Sequence, residues 1–201
     1  MIRVLLAEDQ TMVRGALSAL LSMEEDIEVV AEASRGDEVV RKAIDTHPDV
    51  ALLDIEMPGG DGLSAAADLY RELPSCRTII LTTFGRSGYL RRAMESGAVG
   101  FLVKDSPSSE LASALRRIMD GERVVDPELA AAALSEGVNP LTPREREALA
   151  ACSSGATIAD AAARLHLSEG TMRNYLSMAI KKLGVRNRTE ARYLAQNKGW
   201  L

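Results

Sequence analysis

Cysteines, aromatic residues and long apolar runs are scarce in this sequence of 201 residues. The two cysteines, Cys76 and Cys152, lie far apart without metal-ligand spacing, which argues against a disulfide framework and a structural zinc site. No apolar run reaches the roughly eighteen residues of a membrane-spanning helix, and the start MIRVLLAED turns acidic before a secretory segment could form. We therefore expect a cytoplasmic protein without membrane insertion. Because aromatic residues make up only 3%, Leu, Val, Ile and Ala have to build most of the core.

Charge is unevenly divided along the chain, although the net charge of −5 is modest. Residues 1–122 carry 13 Lys and Arg against 21 Asp and Glu, a net charge of −8. Residues 139–201 carry 10 against 5, a net charge of +5. A basic segment on an acidic body is typical of a nucleic-acid-binding module attached to another domain, although chance surface variation is an alternative on charge alone.

The first 122 residues alternate short apolar runs, typical of strands, with amphipathic patterns typical of helices. The clearest helical pattern is the apolar stripe within Met12–Leu21. Because parallel strands need crossover connections and are buried on both faces, five β-then-α repeats predict a doubly wound α/β domain with a five-stranded parallel sheet. The expected strands are Ile2–Ala7, Ile27–Ala33, Val50–Leu53, Thr78–Leu81 and Val99–Val103.

The remaining residues show no further strand pattern. Residues 123–138 are predicted to be a linker with one short Ala-rich helix, from Pro127 to about Ser135. Residues 139–201 show only helical patterns, so we expect a small all-α domain there.

Polar residues follow four of the five predicted strands. Glu8 and Asp9 come after the first strand, Asp54 after the third, Thr82 after the fourth and Lys104 after the fifth. The carboxyl ends of parallel strands meet at one edge of the sheet, where functional groups gather. Three carboxylates crowded there repel one another unless a cation binds among them, and hard oxygen ligands suit Mg²⁺. The sequence therefore predicts a Mg²⁺ site with room for a phosphate.

Phosphoryl transfer is the chemistry that suits such a site. A carboxylate beside Mg²⁺ can attack phosphorus and form an aspartyl phosphate, while an ammonium and a hydroxyl stabilise the transferred oxygens. Lys104 and Thr82 fit the last two roles. Each residue taken alone is most often an ordinary loop or cap residue, so the prediction rests on the whole combination.

The motifs of this half resemble those of receiver domains in two-component signalling. They are ED at Glu8–Asp9, LLDIEMPGGDG around Asp54, LTTF at Thr82 and GFLVKD at Lys104. The resemblance covers residues 1 to about 122 and implies a flavodoxin-like fold. It also implies that a sensor histidine kinase transfers a phosphoryl group to Asp54, which loses it slowly, and that the chain is otherwise not an enzyme.

The same resemblance implies roles for individual residues of the site. Mg²⁺ would be held by Asp9, Asp54 and the backbone carbonyl of Glu56, with Glu8 assisting nearby. Lys104 would bind the phosphoryl group, and Thr82 and Phe101 would form a switch pair that rearranges on phosphorylation.

Helix signals in the last third of the chain favour a helix-turn-helix. Thr142-Pro143-Arg144-Glu145 has the capping-box pattern with proline at the first helical position. Further helices are predicted near Thr157 and at Ser168, joined by a short connection. In the third helix an apolar stripe within Met172–Leu183 faces inward. The residues that then face outward together are Arg173, Asn174, Ser177 and Lys181.

An exposed helix face carrying Arg and Asn suits the major groove of DNA, although an ordinary solvated face is the alternative for a helix considered alone. The runs LTPREREAL, LSEGTMRNYLSMAIKKLGV and RTEARYLAQNKGWL resemble the LuxR-type helix-turn-helix of the NarL/FixJ subfamily of response regulators. The resemblance covers about residues 139–201 and implies double-stranded promoter DNA as a partner. The expected DNA-binding residues are Thr171, Arg173, Asn174, Tyr175, Ser177, Lys181, Lys182 and Arg188.

Within the subfamily, the runs AEDQ, DIEMPG, LTTF, KDSPSSEL, NPLT and RNYLSMAI resemble DesR-type regulators, which respond to a membrane thermosensor kinase and control a lipid desaturase. This resemblance implies that phosphorylation favours a homodimer through the first and fifth receiver helices, the segments Met12–Leu21 and Ser108–Met119. Two helix-turn-helix modules would then bind half-sites about one DNA turn apart.

Two other functions stay open on the sequence. A Mg²⁺-dependent phosphatase of similar fold needs a second carboxylate two residues after the nucleophile, and Glu56 stands there, but the chain has no segment for a substrate-covering cap. The second is a phosphorylated adaptor whose helical domain binds protein. A steep loss of DNA affinity with salt would argue against the adaptor.

Overall fold

The computed structural model describes residues 1–83, 87–105, 108–135, 139–152 and 156–201. These residues form two compact units, one of residues 1–85 with 90–131 and one of residues 86–89 with 132–201. No helix among the described residues combines the length and the apolar character that spanning a bilayer requires.

Strands and helices alternate through the first part of the chain. The strands are β1 (Ile2–Ala7), β2 (Ile27–Ala33), β3 (Val50–Asp54), β4 (Arg77–Thr82), β5 (Gly100–Val103) and β6 (Val124–Val125). The helices between them are α1 (Thr11–Leu21), α2 (Gly36–Thr46), α3 (Gly62–Glu72), α4 (Ser87–Glu95) and α5 (Ser108–Met119). All strand pairs are parallel, in the order β2-β1-β3-β4-β5-β6. The predicted doubly wound α/β fold is confirmed.

The sheet contains one strand that the sequence did not predict. β6 pairs with β5, with Gly100 opposite Val124 and Phe101 opposite Val125, and Val124 is buried. These two residues lie in the segment predicted as a linker, so the sheet has six strands and not five. A strand of two residues cannot show the alternating pattern that identifies longer strands, because the pattern needs at least four residues.

The core of the first unit lies on both faces of the sheet, because successive residues of a strand point to opposite sides. Val4 and Leu6 of β1 pack with Leu21 of α1 and Leu115 of α5. Leu5 lies between them and is fully buried on the other side, where α2 and α3 pack. All five residues of β3 are buried, as expected for a central strand of a parallel sheet.

The apolar stripe predicted on α1 is divided in the structure. Leu17 and Leu21 pack against the core, whereas Met12 is 85% exposed and Leu20 is 40% exposed. A helix packed on a sheet buries only one face, and two adjacent apolar rows cover a wider arc than that face. The second row is therefore left on the surface.

The second unit is helical, as predicted. After α6 (Pro127–Ser135), which is the predicted Ala-rich helix, come α7 (Pro143–Ala151), α8 (Ile158–Arg164), α9 (Glu169–Leu183) and α10 (Arg188–Asn197). The last residues of the predicted linker, 136–138, lie outside the described residues. Each helix from α7 to α10 begins with a side-chain cap, at Thr142, Thr157, Ser168 and Asn187 respectively.

The turn between α8 and α9 has the form expected of a helix-turn-helix. His166 adopts a left-handed backbone conformation with φ of 54°, and Ser168 then caps α9 by accepting a hydrogen bond from the Thr171 N–H. The inward side of α9 is formed by Met172, Leu176 and Ala179, which are buried in the core of the unit.

Candidate functional site

The acidic residues predicted to converge do meet at one edge of the sheet. Glu8 and Asp9 follow β1, Asp54 ends β3, and these two strands are neighbours. One carboxylate oxygen from each of the three residues lies within 4.8 Å of the other two. Glu8 and Asp54 are buried, whereas Asp9 is exposed. The cluster is therefore open to solvent on the side of Asp9.

Lys104 neutralises part of this negative charge. It follows β5, and its Nζ lies 2.5 Å from Glu8 Oε2 and 3.1 Å from Asp54 Oδ1, with the lysine side chain 9% exposed. Its backbone N–H donates to the carbonyl of Thr82 at 2.8 Å, which ties the ends of β4 and β5 together. The ammonium is thus fixed beside the two buried carboxylates.

Burial dominates the electrostatics of Asp54. It raises the pKa of this carboxyl above its ordinary value of 3.8, and the nearby Lys104 ammonium offsets only part of the rise. Three carboxylates and one ammonium leave about two negative charges in the cluster, which a divalent cation would balance. The donor set consists of hard carboxylate oxygens, open to water on one side, and it fits Mg²⁺.

The other predicted receiver residues lie on β4, on β5 and in the loop after β3. Thr82 is the buried last residue of β4, and Phe101 is fully buried in β5. Glu56 is exposed in the loop after β3, and the acidic cluster found among the described residues does not include its carboxylate. The resemblance assigns only its backbone carbonyl to the metal, and that role stays a prediction.

Sequence reasoning missed Arg14, which also reaches the cluster. Its Nη1 donates to the backbone carbonyl of Glu8 at 2.6 Å, and its Nε donates to Glu32 in β2 at 3.2 Å. On α1, an arginine beside an apolar stripe is indistinguishable by pattern from any surface arginine. Only the folded geometry shows where its guanidinium goes.

A second candidate site is the outward face of α9. Four of the predicted DNA-binding residues are exposed there: Arg173, Asn174, Ser177 and Lys181. Arg173 pairs with Glu169 one turn earlier at 3.0 Å, in an ion pair of which both side chains are more than half exposed. Met178, which the sequence analysis did not select, is 49% exposed on the same face.

The remaining predicted DNA-binding residues have partners within the second unit. Lys182 pairs with the buried Glu145 at 2.8 Å, and Arg188 donates to the carbonyl of Ala156 at 3.3 Å. Tyr175 packs against the hydrophobic core. Thr171 is hydrogen-bonded to Ser168 at the start of α9. Contacts of these four residues with DNA stay predictions, and the structure favours a role in holding α9 in place.

Comparison with known families identifies both halves. The family described as "Response regulator receiver domain" matches residues 4–116, and the family "Bacterial regulatory proteins, luxR family" matches residues 139–195. Among curated proteins, the chain is 47% identical over 200 residues to the transcriptional regulatory protein DesR of Bacillus subtilis (strain 168). That alignment covers 100% of this chain and 99% of DesR.

Solved structures agree with this assignment. The response regulator ChrA of a heme-sensing two-component system is 37% identical, with a TM-score of 0.58, over 100% of this chain and 98% of that one. A DNA complex of the two-component response regulator RcsB is 25% identical, with a TM-score of 0.68, over 98% of both chains. The chain therefore belongs to the response regulators of two-component systems, as a transcription regulator of the NarL/FixJ type in which a receiver domain precedes a LuxR-type DNA-binding domain.

Proposed function

We propose that this chain regulates transcription under the control of phosphorylation at Asp54 by a sensor histidine kinase. The observation that carries the proposal is the convergence of Glu8, Asp9 and Asp54 within 4.8 Å, with the Lys104 ammonium beside the two buried members. The chain acts in the cytoplasm, where the kinase domain and DNA are both accessible.

Asp54 supplies the nucleophile. One of its carboxylate oxygens forms a bond to phosphorus while the P–N bond to the kinase histidine breaks and its electron pair returns to the imidazole. Asp9, Asp54 and the Glu56 carbonyl, with Glu8 nearby, would hold Mg²⁺, which would supply charge neutralisation for the phosphoryl oxygens. Lys104, already 3.1 Å from Asp54, stabilises a second oxygen, and the Thr82 hydroxyl is placed at the neighbouring strand end. The product hydrolyses slowly, which resets the protein.

Phosphorylation favours a homodimer in this proposal. The phosphoryl group brings about −1.5 to −2 charges to the strand edge, and Thr82 and Phe101 rearrange around it. The exposed side chains of Met12 and Leu20 on α1, and of Met23 just after it, provide an apolar surface for a second copy, and α5 is the other proposed part of the interface. A role in dimer formation explains why these apolar side chains are exposed in the unphosphorylated monomer.

DNA is bound in the major groove through the outward face of α9. Asn174 and Arg173 are suited to adenine and guanine edges, and Lys181 to a phosphate. The net charge of +5 on residues 139–201 supports this, as does the likeness to RcsB, which has been solved bound to DNA. The resemblance to DesR-type regulators extends the proposal to membrane-lipid desaturase genes as targets.

The test is phosphorylation and DNA binding of Asp54→Asn against wild type. We expect a base-labile phosphoryl label on wild-type protein treated with acetyl phosphate and Mg²⁺, accompanied by dimers in sedimentation and tighter binding to a selected promoter site. Asp54→Asn is expected to show none of the three responses, and the exposed-site control Asp45→Asn to show all of them. A base-labile label retained by Asp54→Asn would remove Asp54 from its role.

A salt titration tests the DNA contacts separately. Lys181→Met is expected to lower the slope of log affinity against log salt by about one, because one phosphate contact is lost. Lys182→Met is expected to change that slope less, since its ammonium is paired with Glu145. Equal slopes for wild type and Lys181→Met would contradict the proposed contact.

A further inference from the structure

Arg14 lies near the start of α1, a helix that supplies none of the clustered carboxylates, yet it is fixed at the edge of the cluster. Its two hydrogen bonds run to different strands, one to the Glu8 carbonyl at the end of β1 and one to the Glu32 carboxylate in β2. The arginine side chain is only 17% exposed. A planar guanidinium with several donors in a fixed arrangement is suited to join two such acceptors rigidly.

The turn that Arg14 holds has few other restraints near Asp9. α1 begins at Thr11, and its N-cap residue Gln10 forms no side-chain cap, so the usual anchor of a helix start is absent. The Glu8 side chain is anchored by the Gln10 N–H at 3.2 Å and by Lys104. The Asp9 carboxylate forms no hydrogen bond or ion pair with any residue that the structure describes, so its direction depends on the backbone of the turn.

We propose that Arg14 is a positioning residue for the Mg²⁺ site. By holding the Glu8 carbonyl, it fixes the peptide plane that precedes Asp9 and so keeps the Asp9 carboxylate directed at Asp54. The Asp9 carboxylate would then already be oriented for the cation, so that binding of Mg²⁺ would not have to order this side chain. This inference rests on the proposed Mg²⁺ site and assigns to it a residue that contributes no ligand atom.

Charge and positioning predict opposite effects when Arg14 is replaced. A guanidinium near a cation site repels the cation, so charge alone predicts tighter Mg²⁺ binding by Arg14→Met. Loss of positioning predicts weaker binding, since the outer partners of metal-binding groups commonly contribute about tenfold to affinity. The sign of the change therefore separates the two effects.

The experiment is calorimetric titration of Mg²⁺ into full-length wild type, Arg14→Met, Arg14→Lys and the control Arg71→Met. Arg71 pairs with its surface neighbours Asp68 and Glu72, at the far end of α3 from the site. We expect the Kd for Mg²⁺ to rise about tenfold in Arg14→Met. Arg14→Lys, which keeps the charge but has a single donor nitrogen, should be intermediate, and Arg71→Met should match wild type.

A kinetic readout separates positioning from general damage. In phosphorylation by acetyl phosphate, Arg14→Met is expected to need more Mg²⁺ for half-maximal rate but to approach the wild-type rate at saturating Mg²⁺. Unchanged or tighter Mg²⁺ binding by folded Arg14→Met would overturn the proposal, and if that variant did not fold, wild-type affinity in Arg14→Lys would overturn it. Failure of wild type itself to bind Mg²⁺ would instead refute the proposed metal site.

Discussion

At the scale of single residues, the buried carboxylates of the two units affect the stability of the folded protein in opposite directions. Asp54 is buried next to a second buried carboxylate, and one lysine serves both. Glu145 is also buried, but it receives hydrogen bonds from Lys182 and from the N–H of Thr142, the residue whose hydroxyl caps α7. The first arrangement suits a reactive group, whereas the second suits a structural one.

Replacing Asp54 by Asn is expected to stabilise the protein near neutral pH when Mg²⁺ is absent. Burial raises the pKa of Asp54 above 3.8 in the folded protein. Below pH 3.8 the side chain is neutral and the folded protein avoids the cost of a buried charge. That stability is lost as the pH rises through the raised pKa of the folded protein. The melting temperature of Asp54→Asn at pH 7 in EDTA should therefore exceed that of wild type by ~2–5 °C, the effect of roughly 1 kcal/mol.

The difference between Asp54→Asn and wild type should shrink as the pH falls through the raised pKa of folded Asp54 towards 3.8, below which Asp54 is neutral in both the folded and the unfolded state. Saturating Mg²⁺ should stabilise wild type more than Asp54→Asn, since Asp54 is a proposed ligand. The exposed control Asp45→Asn should lie within about 0.5 kcal/mol of wild type throughout. A lower melting temperature for Asp54→Asn in EDTA at pH 7 would contradict the expected cost of the buried charge.

Glu145→Gln is expected to destabilise the second unit by ~1–3 kcal/mol at pH 7, because the ion pair with Lys182 is lost and the partly buried ammonium is left uncompensated. The glutamine oxygen can still accept from the Thr142 N–H. Burial raises the pKa of Glu145, but hydrogen bonds from Lys182 and Thr142 outweigh it, so the pKa lies below the ordinary 4.5. The contribution to stability is therefore present above pH 4.5 and is lost as the pH falls through the lower folded value.

Urea unfolding followed by tryptophan fluorescence measures this effect. The chain has one tryptophan, Trp200, which packs against the core of the second unit. A double-mutant cycle of Glu145→Gln with Lys182→Met should give a coupling energy of about 1 kcal/mol or more. Additive effects of the two substitutions would show that the ion pair contributes nothing to stability.

At the scale of elements, the site depends on close approach between two loops. The loop after β2 meets the loop after β3, where the Gly36 N–H donates to the carbonyl of Pro58 at 3.0 Å. A Cβ at Gly36 would lie 2.0 Å from the carbonyl oxygen of Gly60. Because the loop after β3 also carries Glu56, its position bears on the proposed Mg²⁺ site.

Gly36→Ala is expected to force these loops apart, to destabilise the protein by ~1–3 kcal/mol and to weaken Mg²⁺ binding. Gly15→Ala is the matched control, since an added Cβ at Gly15 in α1 would meet no described atom within 4 Å outside the adjoining backbone of its own helix. That control should stabilise the protein by up to about 1 kcal/mol through helix propensity. Urea unfolding and Mg²⁺ titration of both variants provide the check, and equal stability of the two would contradict the loop contact.

At the scale of the whole molecule, the first unit extends beyond residue 122, the boundary that the sequence predicted. β6 completes the sheet beside β5, and Val124 joins the hydrophobic core on the side of α5. A receiver domain that ends before β6 therefore exposes the edge of β5 and part of its core.

A fragment of residues 1–126 is expected to be more stable than one of residues 1–122 by ~1–3 kcal/mol, the gain from burying Val124 and pairing β6 with β5. Urea unfolding followed by circular dichroism compares the two fragments. Val124→Ala in the longer fragment should remove part of its extra stability. Equal midpoints for both fragments would place the functional boundary at residue 122 after all.

The pattern of the sequence was sufficient for the elements whose signals are local. Alternation of apolar runs and helical stripes predicted β1 to β5, and the capping-box residues Thr142 and Glu145 predicted the start of α7. Their signals are strong because a buried strand or a helix start restricts several consecutive residues at once. β6 gave no such signal, since its two residues are a strand only through their pairing with β5.

The residue types and their order along the chain determined that acidic groups would follow strands one and three, and that a basic helical module would follow the α/β domain. The folded chain decided which oxygens meet, which carboxylates are buried, and that Arg14 holds the turn before Asp9 while Lys182 binds Glu145. The division has a physical reason. Periodicity and caps act over one turn or one strand, whereas burial and pairing between distant residues arise only when the elements pack together.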